Sequence, residues 1–144
     1  MKLSTKTLYG TRLMFELALN YQKGVIRLSE IVKSQGLSGK YSEQIISQLK
    51  TAGLVLAQRG AEGGYILSKP ASQITLKEIV ESLEGTLALV SVEDNSDPSE
   101  SSGFIKKRIW EQLSKTFEET LKKITLEDLV NDYVKRSSEP SYEI

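Results

Sequence analysis

The 144-residue chain is 39% hydrophobic, enough for one modest core, and its 19 basic residues balance its 19 acidic ones. It has no cysteine and no histidine, which excludes disulfides, thiolate and imidazole metal sites, and catalysis by Cys or His. No apolar run is long enough for a transmembrane helix, and Met1-Lys2-Leu3-Ser4-Thr5-Lys6 lacks the apolar stretch of a secretory signal, so a cytoplasmic protein is the expectation.

In chain order, Tyr9 to Tyr21 places Leu13, Leu17 and Tyr21 at helical spacing, with Met14, Phe15, Ala18 and Leu19 between them. That pattern predicts a well-buried helix, capped by Ser4 or Thr5 and ended by Lys23-Gly24. Leu28 to Lys33 predicts a short second helix with Ser29 as cap and Leu28, Ile31 and Val32 inward. Gly36 supplies a left-handed stop in the turn that follows. Ser38 is the expected cap of a third helix running to about Thr51. At 100° per residue, Ile45, Ile46 and Leu49 share one face, and Lys40, Glu43, Gln44, Ser47 and Thr51 share the opposite one.

Gly53 to Leu67 then reads as a β-hairpin. Two apolar strands flank a tip holding Gly60, Gly63 and Gly64, with Arg59 where the first strand enters it. Helix, turn, helix and an arginine-bearing hairpin follow the order of a winged helix-turn-helix, which puts a helix in the DNA major groove and a wing on the backbone or minor groove. Glycines at the tip, Gly60 and Gly63 among them, let backbone approach a partner closely. The charge distribution agrees. Residues 1–72 carry ten Lys/Arg against four Asp/Glu, and residues 73–144 carry nine against fifteen, so the balance shifts from +6 to −6. A basic half suits a polyanion.

After the loop Lys69-Pro70-Ala71-Ser72, Thr75-Leu76-Lys77-Glu78 reads as a capping box opening a helix through Leu83, with Gly85 closing it. Val90 to Gly103 is rich in Ser, Asp and Glu and reads as a polar linker. A long helix is expected from Phe104 to about Lys123, with Ile109, Trp110, Leu113, Phe117, Leu121 and Ile124 on one stripe. Thr125-Leu126-Glu127-Asp128 caps a last short helix through Tyr133, and Lys135 to Ile144 reads as a frayed tail. The expected organisation is a DNA-binding domain over 1–86, a linker over 87–103, dimerisation helices over 104–134 and a flexible tail over 135–144. The class is mainly α with a small β-hairpin wing. A long amphipathic stripe beyond a linker needs a partner, and a second copy of the same helix is the simplest one.

The segments KLSTKTLYGTRLMFELA, SEQIISQLKTAGLV, RGAEGGYIL and ITLEDLV resemble the Rrf-two family of bacterial winged-helix transcription regulators over nearly the whole chain, about residues 1–134. The resemblance implies a homodimer with crossing C-terminal helices, each winged domain packing partly on the partner. It also implies DNA contacts by Lys40, Tyr41, Glu43 and Gln44 of the recognition helix and by Arg59 in the minor groove. Ser42 departs from the family's usual leucine and is expected to loosen the packing of this helix. Cluster-binding members carry three cysteines in the linker, and Val90 to Lys107 offers none. The nitric-oxide-sensing branch has an acidic residue before the tyrosine of the first helix, where this chain has Leu8. The sequence therefore looks like the cluster-free branch, nearest to the cysteine-metabolism repressor, with which it shares the look of LEGTLALVSVED. That implies no cofactor, and a signal from a regulatory partner protein or a small metabolite.

Two other readings compete with this one. An enzyme would need Ser–Lys, paired carboxylates or a hard cation. Asp94, Asp97 and Glu100 lack EF-hand spacing, and Gly60, Gly63 and Gly64 precede a strand rather than the Lys-Ser/Thr and helix of a phosphate loop. The alternative non-enzyme reading is a winged-helix module for protein contact alone, anchored by Trp110 and Phe117.

Overall fold

The computed structural model of the chain describes residues 2–89 and 99–139. Its elements are α1 (Thr5–Leu19), α2 (Leu28–Gln35), α3 (Gly39–Thr51), β1 (Val55–Gln58), β2 (Gly64–Leu67), α4 (Leu76–Glu84), α5 (Glu100–Ile105), a π turn (Lys106–Trp110), α6 (Glu111–Lys123) and α7 (Leu126–Ser138).

The first helix organises the domain. Ser4 caps α1 by accepting a hydrogen bond from the Thr7 N–H at 3.2 Å, and the helix therefore starts four residues before Tyr9. It ends at Leu19, and a 3-10 turn takes Tyr21–Lys23. Leu13, Met14 and Leu17 are fully buried, because α2, α3, α4, α7 and β2 all pack around this one helix. Ile31 of α2, Ile45, Ile46 and Leu49 of α3, Val55 and Leu67 of the hairpin, and Ile79 and Leu83 of α4 complete a single core. Burying a side chain of this size contributes about 1.5–3 kcal/mol.

One expected cap is corrected and another lacks its bond. The N-cap of α2 is Arg27, not Ser29, because Ile26 arrives as extended chain paired with Tyr65 and the helix can only begin at Leu28. Ser38 does occupy the cap of α3, yet its hydroxyl makes no capping bond. Gly36 stops α2 in the left-handed region with φ 63°, as its place in the turn predicts.

The capping boxes at Thr75/Glu78 and Thr125/Asp128 both form. They also meet each other. The Leu76 N–H donates to the Ile124 carbonyl at 2.8 Å, and the Leu126 N–H donates to the Ile74 carbonyl at 2.9 Å. Ile74 and Leu126 are fully buried beside this pairing. The start of α7 is thus fastened to the start of α4, and the long C-terminal helix is tied back to the winged domain at its far end.

The helix before that tie differs from its expected form. Residues 90–98 of the expected linker lie outside the described residues. Its last part, however, is helical: Ser99 accepts from the Ser102 N–H at 3.2 Å and opens α5 at Glu100, four residues before Phe104. A serine-rich run resembles a linker in composition, but one serine placed as an N-cap is also a helix start. Helical backbone continues through the π turn into α6, so the long helix spans about 36 Å. At its other end α7 runs through Ser138, past the expected limit at Tyr133, and takes in the first residues of the expected tail.

Ser42 is fully buried, and its hydroxyl has no hydrogen-bond partner among the described residues. Removing an unsatisfied buried hydroxyl recovers desolvation cost, so Ser42→Ala is expected to raise stability by about 1 kcal/mol. Urea denaturation checks this through a higher midpoint at unchanged slope.

Glu84 at the end of α4 accepts the Ser4 N–H at 2.6 Å and so ties α4 to the start of α1. Hydrogen bonding by the Ser4 side chain, then by the Thr7 side chain and the Ser4 N–H, holds its carboxyl below the ordinary value of 4.5. A depressed carboxyl stabilises the fold above its unfolded value, and that contribution is lost as pH falls below about 4.5. The melting temperature should drop over that window, and Glu84→Gln should flatten the part of the drop due to this group while lowering the neutral-pH value.

Candidate nucleic-acid interface

The surface of α3 divides as its periodicity predicts. Ile45, Ile46 and Leu49 are buried, while Lys40, Glu43, Gln44 and Ser47 are all exposed. Thr51 is exposed too, but its hydroxyl donates to the Ser47 carbonyl at 3.0 Å and is satisfied within the helix. Tyr41 sits at the boundary. It is half-buried against the core, with its ring edge-on to Tyr9 of α1 at 5.7 Å between centroids. Gln48 carries no signal in the sequence, and its role is positional: its Nε2 donates to the Ser82 carbonyl of α4 at 3.0 Å. Tyr41 toward the N-terminal end and Gln48 toward the C-terminal end therefore fix the roll of α3, which decides which side chains face outward.

The other half of the helix-turn-helix is held through α1 as well. The Arg12 Nε donates to Gln35 Oε1 at 3.1 Å, and its Nη2 donates to the Gln35 carbonyl. The Gln35 Nε2 donates to Glu16 Oε2 at 2.8 Å, and the Arg12 guanidinium lies 5.6 Å from the centre of the Tyr9 ring. One face of α1 thus sets the end of α2 and the start of α3 together.

The hairpin pairs Val55 with Leu67, Leu56 with Ile66, Ala57 with Tyr65 and Gln58 with Gly64. Arg59 begins the tip, Gly60 has φ 111°, and the Gly63 N–H closes the tip on the Gly60 carbonyl at 3.0 Å. Arg59 and Gly60 are exposed and Gly63 is half-buried. Neither Lys40 nor Arg59 forms an ion pair among the described residues, so both charges are available to a ligand.

A third strand segment has no counterpart in the sequence reading. Ile26 and Tyr65 exchange both backbone hydrogen bonds, at 2.9 and 2.8 Å, which seats β2 against the chain entering α2. A single paired residue leaves no alternating pattern, so sequence carried no signal for it. Gly64 is required there: a Cβ on it would lie 2.3 Å from the Ile26 carbonyl oxygen.

On the long helix the expected stripe divides. Phe117 and Leu121 are half-buried, and Phe117 lines a cavity of about 240 Å³ with Leu3 of the winged domain and Leu87 and Leu89 just after it. The Leu89 N–H donates to the Ser114 hydroxyl at 3.0 Å on the same side. Ile109, Trp110 and Leu113 are 41, 43 and 49% exposed, and Phe104 and Ile105 are exposed as well. In the π turn the Glu111 N–H bonds to the Lys106 carbonyl, five residues back. Residues five apart, which an α-helix sets roughly 140° apart, come closer to one face in such a turn.

This geometry defines a winged helix-turn-helix DNA-binding protein with an added C-terminal helical arm. The sequence model of the Rrf2 family, described as iron-dependent transcriptional regulator, matches residues 3–132, and the chain belongs to that family. It is similar to the HTH-type transcriptional regulator CymR of Bacillus subtilis, with 38% identity over 91% of this chain and 91% of that protein. It is also similar to the regulator IscR of Cronobacter sakazakii, at 33% identity over 92% of this chain and 82% of that one. Among solved structures, B. subtilis CymR, described as the global cysteine regulator, superposes with a TM-score of 0.78 at 37% identity, over 91% of this chain and 97% of that one. IscR of T. potens gives 0.78 at 38% identity, over 99% and 94%. The chain is a transcription regulator, not an enzyme. No helix among the described residues is long and apolar enough to cross a membrane.

The family description implies iron, and the donor set of this chain does not fit it. The sequence has neither cysteine nor histidine, and no group of three acidic side chains gathers among the described residues. Carboxylates and hydroxyls are hard ligands, whereas iron–sulfur clusters are held by thiolates.

Gly64→Ala should unseat the wing from Ile26 at a cost of about 1–3 kcal/mol, as backbone must move to admit the methyl group. Faster amide exchange at Ile26 and Tyr65, with the α1 amides still protected, is the expected signature.

Proposed function

We propose that the protein is a sequence-specific, homodimeric DNA-binding regulator of the cytoplasm, acting as a repressor, without an iron–sulfur cluster. The observation that carries this reading is the unpaired polar face of α3, Lys40, Glu43, Gln44 and Ser47, beside a wing that presents Arg59. The α3 face is the part that reads base edges in the major groove, and Arg59 enters a narrow minor groove, where the potential favours arginine. Gly60 and Gly63 bring the tip backbone close to phosphate. Tyr41 supports α3 from its half-buried site, with its hydroxyl end as the part that meets DNA. Glu43 repels phosphate, so its value lies in accepting from a cytosine amine or orienting a neighbour.

The dimer is supported by the exposed row of Phe104, Ile105, Ile109, Trp110 and Leu113. Phe117 and Leu121 join that interface only by their open sides, since their own domain covers the rest. A twofold pair would set two α3 helices on half-sites about 34 Å apart. With no cluster, the signal comes from a partner protein or a small metabolite. A signal bound between the arm and the winged domain would act by changing that half-site spacing.

Three measurements test this. In binding to duplexes selected from a random library, Arg59→Ala should cost about 1–3 kcal/mol, whereas Glu43→Ala should relax sequence preference and leave non-specific affinity equal or higher. Binding should weaken steeply with salt. A chain that binds no duplex would favour the protein-contact module instead. In sedimentation, the wild type should be a dimer at micromolar concentration and Trp110→Asp with Leu113→Asp a folded monomer; a wild-type monomer would refute the dimer. Anaerobic reconstitution with iron and sulfide should leave the protein colourless, and stoichiometric iron would overturn the cluster-free reading.

A further inference from the structure

We propose that Arg27 is a positioning residue of the wing, a strap that holds the tip in place so that Arg59 is presented at a fixed height and angle. The inference rests on the wing being a DNA-contacting element. The Arg27 Nη2 donates to the Ala61 carbonyl at 2.5 Å, joining residues 34 apart in sequence. Ala61 lies in the middle of the tip, between Gly60 and Gly63, where the one other backbone bond described is Gly63 N–H to the Gly60 carbonyl. Gly60 sits at φ 111° and Ala61 and Glu62 are exposed, so nothing packed holds this loop from outside.

The strap works because its other end is anchored. Arg27 follows Ile26, which is bonded to Tyr65 on both sides, and it is the N-cap of α2. The far end of α2 is Gln35, held by Arg12 of α1. Tip, Arg27, α2 and α1 therefore form one connected frame, and the same α1 face fixes the start of α3 through Tyr9 and Tyr41. The wing and the recognition helix are thereby referred to one element, which two-point reading of a duplex requires. Arginine suits this role because its stem reaches from the chain beside Gly64, at the tip end of β2, to the Ala61 carbonyl, and its fixed planar fork gives the bond a direction. The side chain is exposed, so its removal leaves the core intact.

The test uses Arg27→Met, which keeps the aliphatic stem and removes the donors, with Arg59→Ala and the double variant. In the free protein, Arg27→Met should speed amide exchange at residues 59–63 while α1 and α3 keep their protection. Unchanged exchange in the tip would overturn the strap whether or not the protein binds DNA, which separates this failure from failure of the DNA-binding reading. On a duplex selected from a random library, Arg27→Met should weaken binding about tenfold, the scale of one lost hydrogen bond. In the Arg59→Ala background that loss should shrink to less than about twofold, because the strap acts through Arg59. Losses that multiply independently, with a shallower salt dependence for Arg27→Met, would show Arg27 to be a direct phosphate contact and would overturn the proposal.

Discussion

The architecture depends on the burial of one helix. Leu13, Met14 and Leu17 of α1 are enclosed on all sides, and every element that reads or supports the proposed DNA contact takes its position from that enclosure. Apolar packing alone would allow α2 and α3 to slide, since it is non-directional. The directional part is polar and lies at the edge of the core: Arg12 on Gln35, Tyr9 against Tyr41, Glu84 on the Ser4 N–H. Each bond is modest in energy, about 1 kcal/mol net, and matters for where it points α3.

The second constraint is the pairing of Ile74–Leu76 with Ile124–Leu126. Two helix starts that each need a threonine cap are set side by side, so one short antiparallel contact satisfies backbone groups at both. Because the arm is fixed there and against Leu3, Leu87 and Leu89, a displacement of its exposed end would be passed to α4 and, through Gln48 and Ser82, to α3. That is a physical route by which a ligand or partner at the arm would alter the recognition helix.

Charge follows the same division. The +6 of residues 1–72 belongs to the half that holds α3 and the wing, and the −6 of residues 73–144 to the half that holds the arm. A field so arranged would orient the molecule toward a polyanion with the proposed reading face forward. With neither cysteine nor histidine, the chain lacks the thiolate and imidazole ligands that usually hold a cluster.

What the sequence determined was local. The caps at Thr75 and Thr125, the left-handed stop at Gly36, the outward face of α3 and the hairpin with Arg59 at its tip each follow from residues within a turn or two of one another. Where a local rule admitted two outcomes, the fold chose. Ser99 made a helix start out of a serine-rich stretch, and Arg27 displaced Ser29 as cap because Ile26 was already engaged. The rest belonged to tertiary structure alone: Ile26 on Tyr65, Arg27 on Ala61, Gln48 on Ser82, the sealed hydroxyl of Ser42, and the division of the arm's stripe between its own domain and open space. These contacts join residues distant in sequence and involve single residues or single bonds. A periodic pattern records that a face is buried, and only the packed chain determines what buries it.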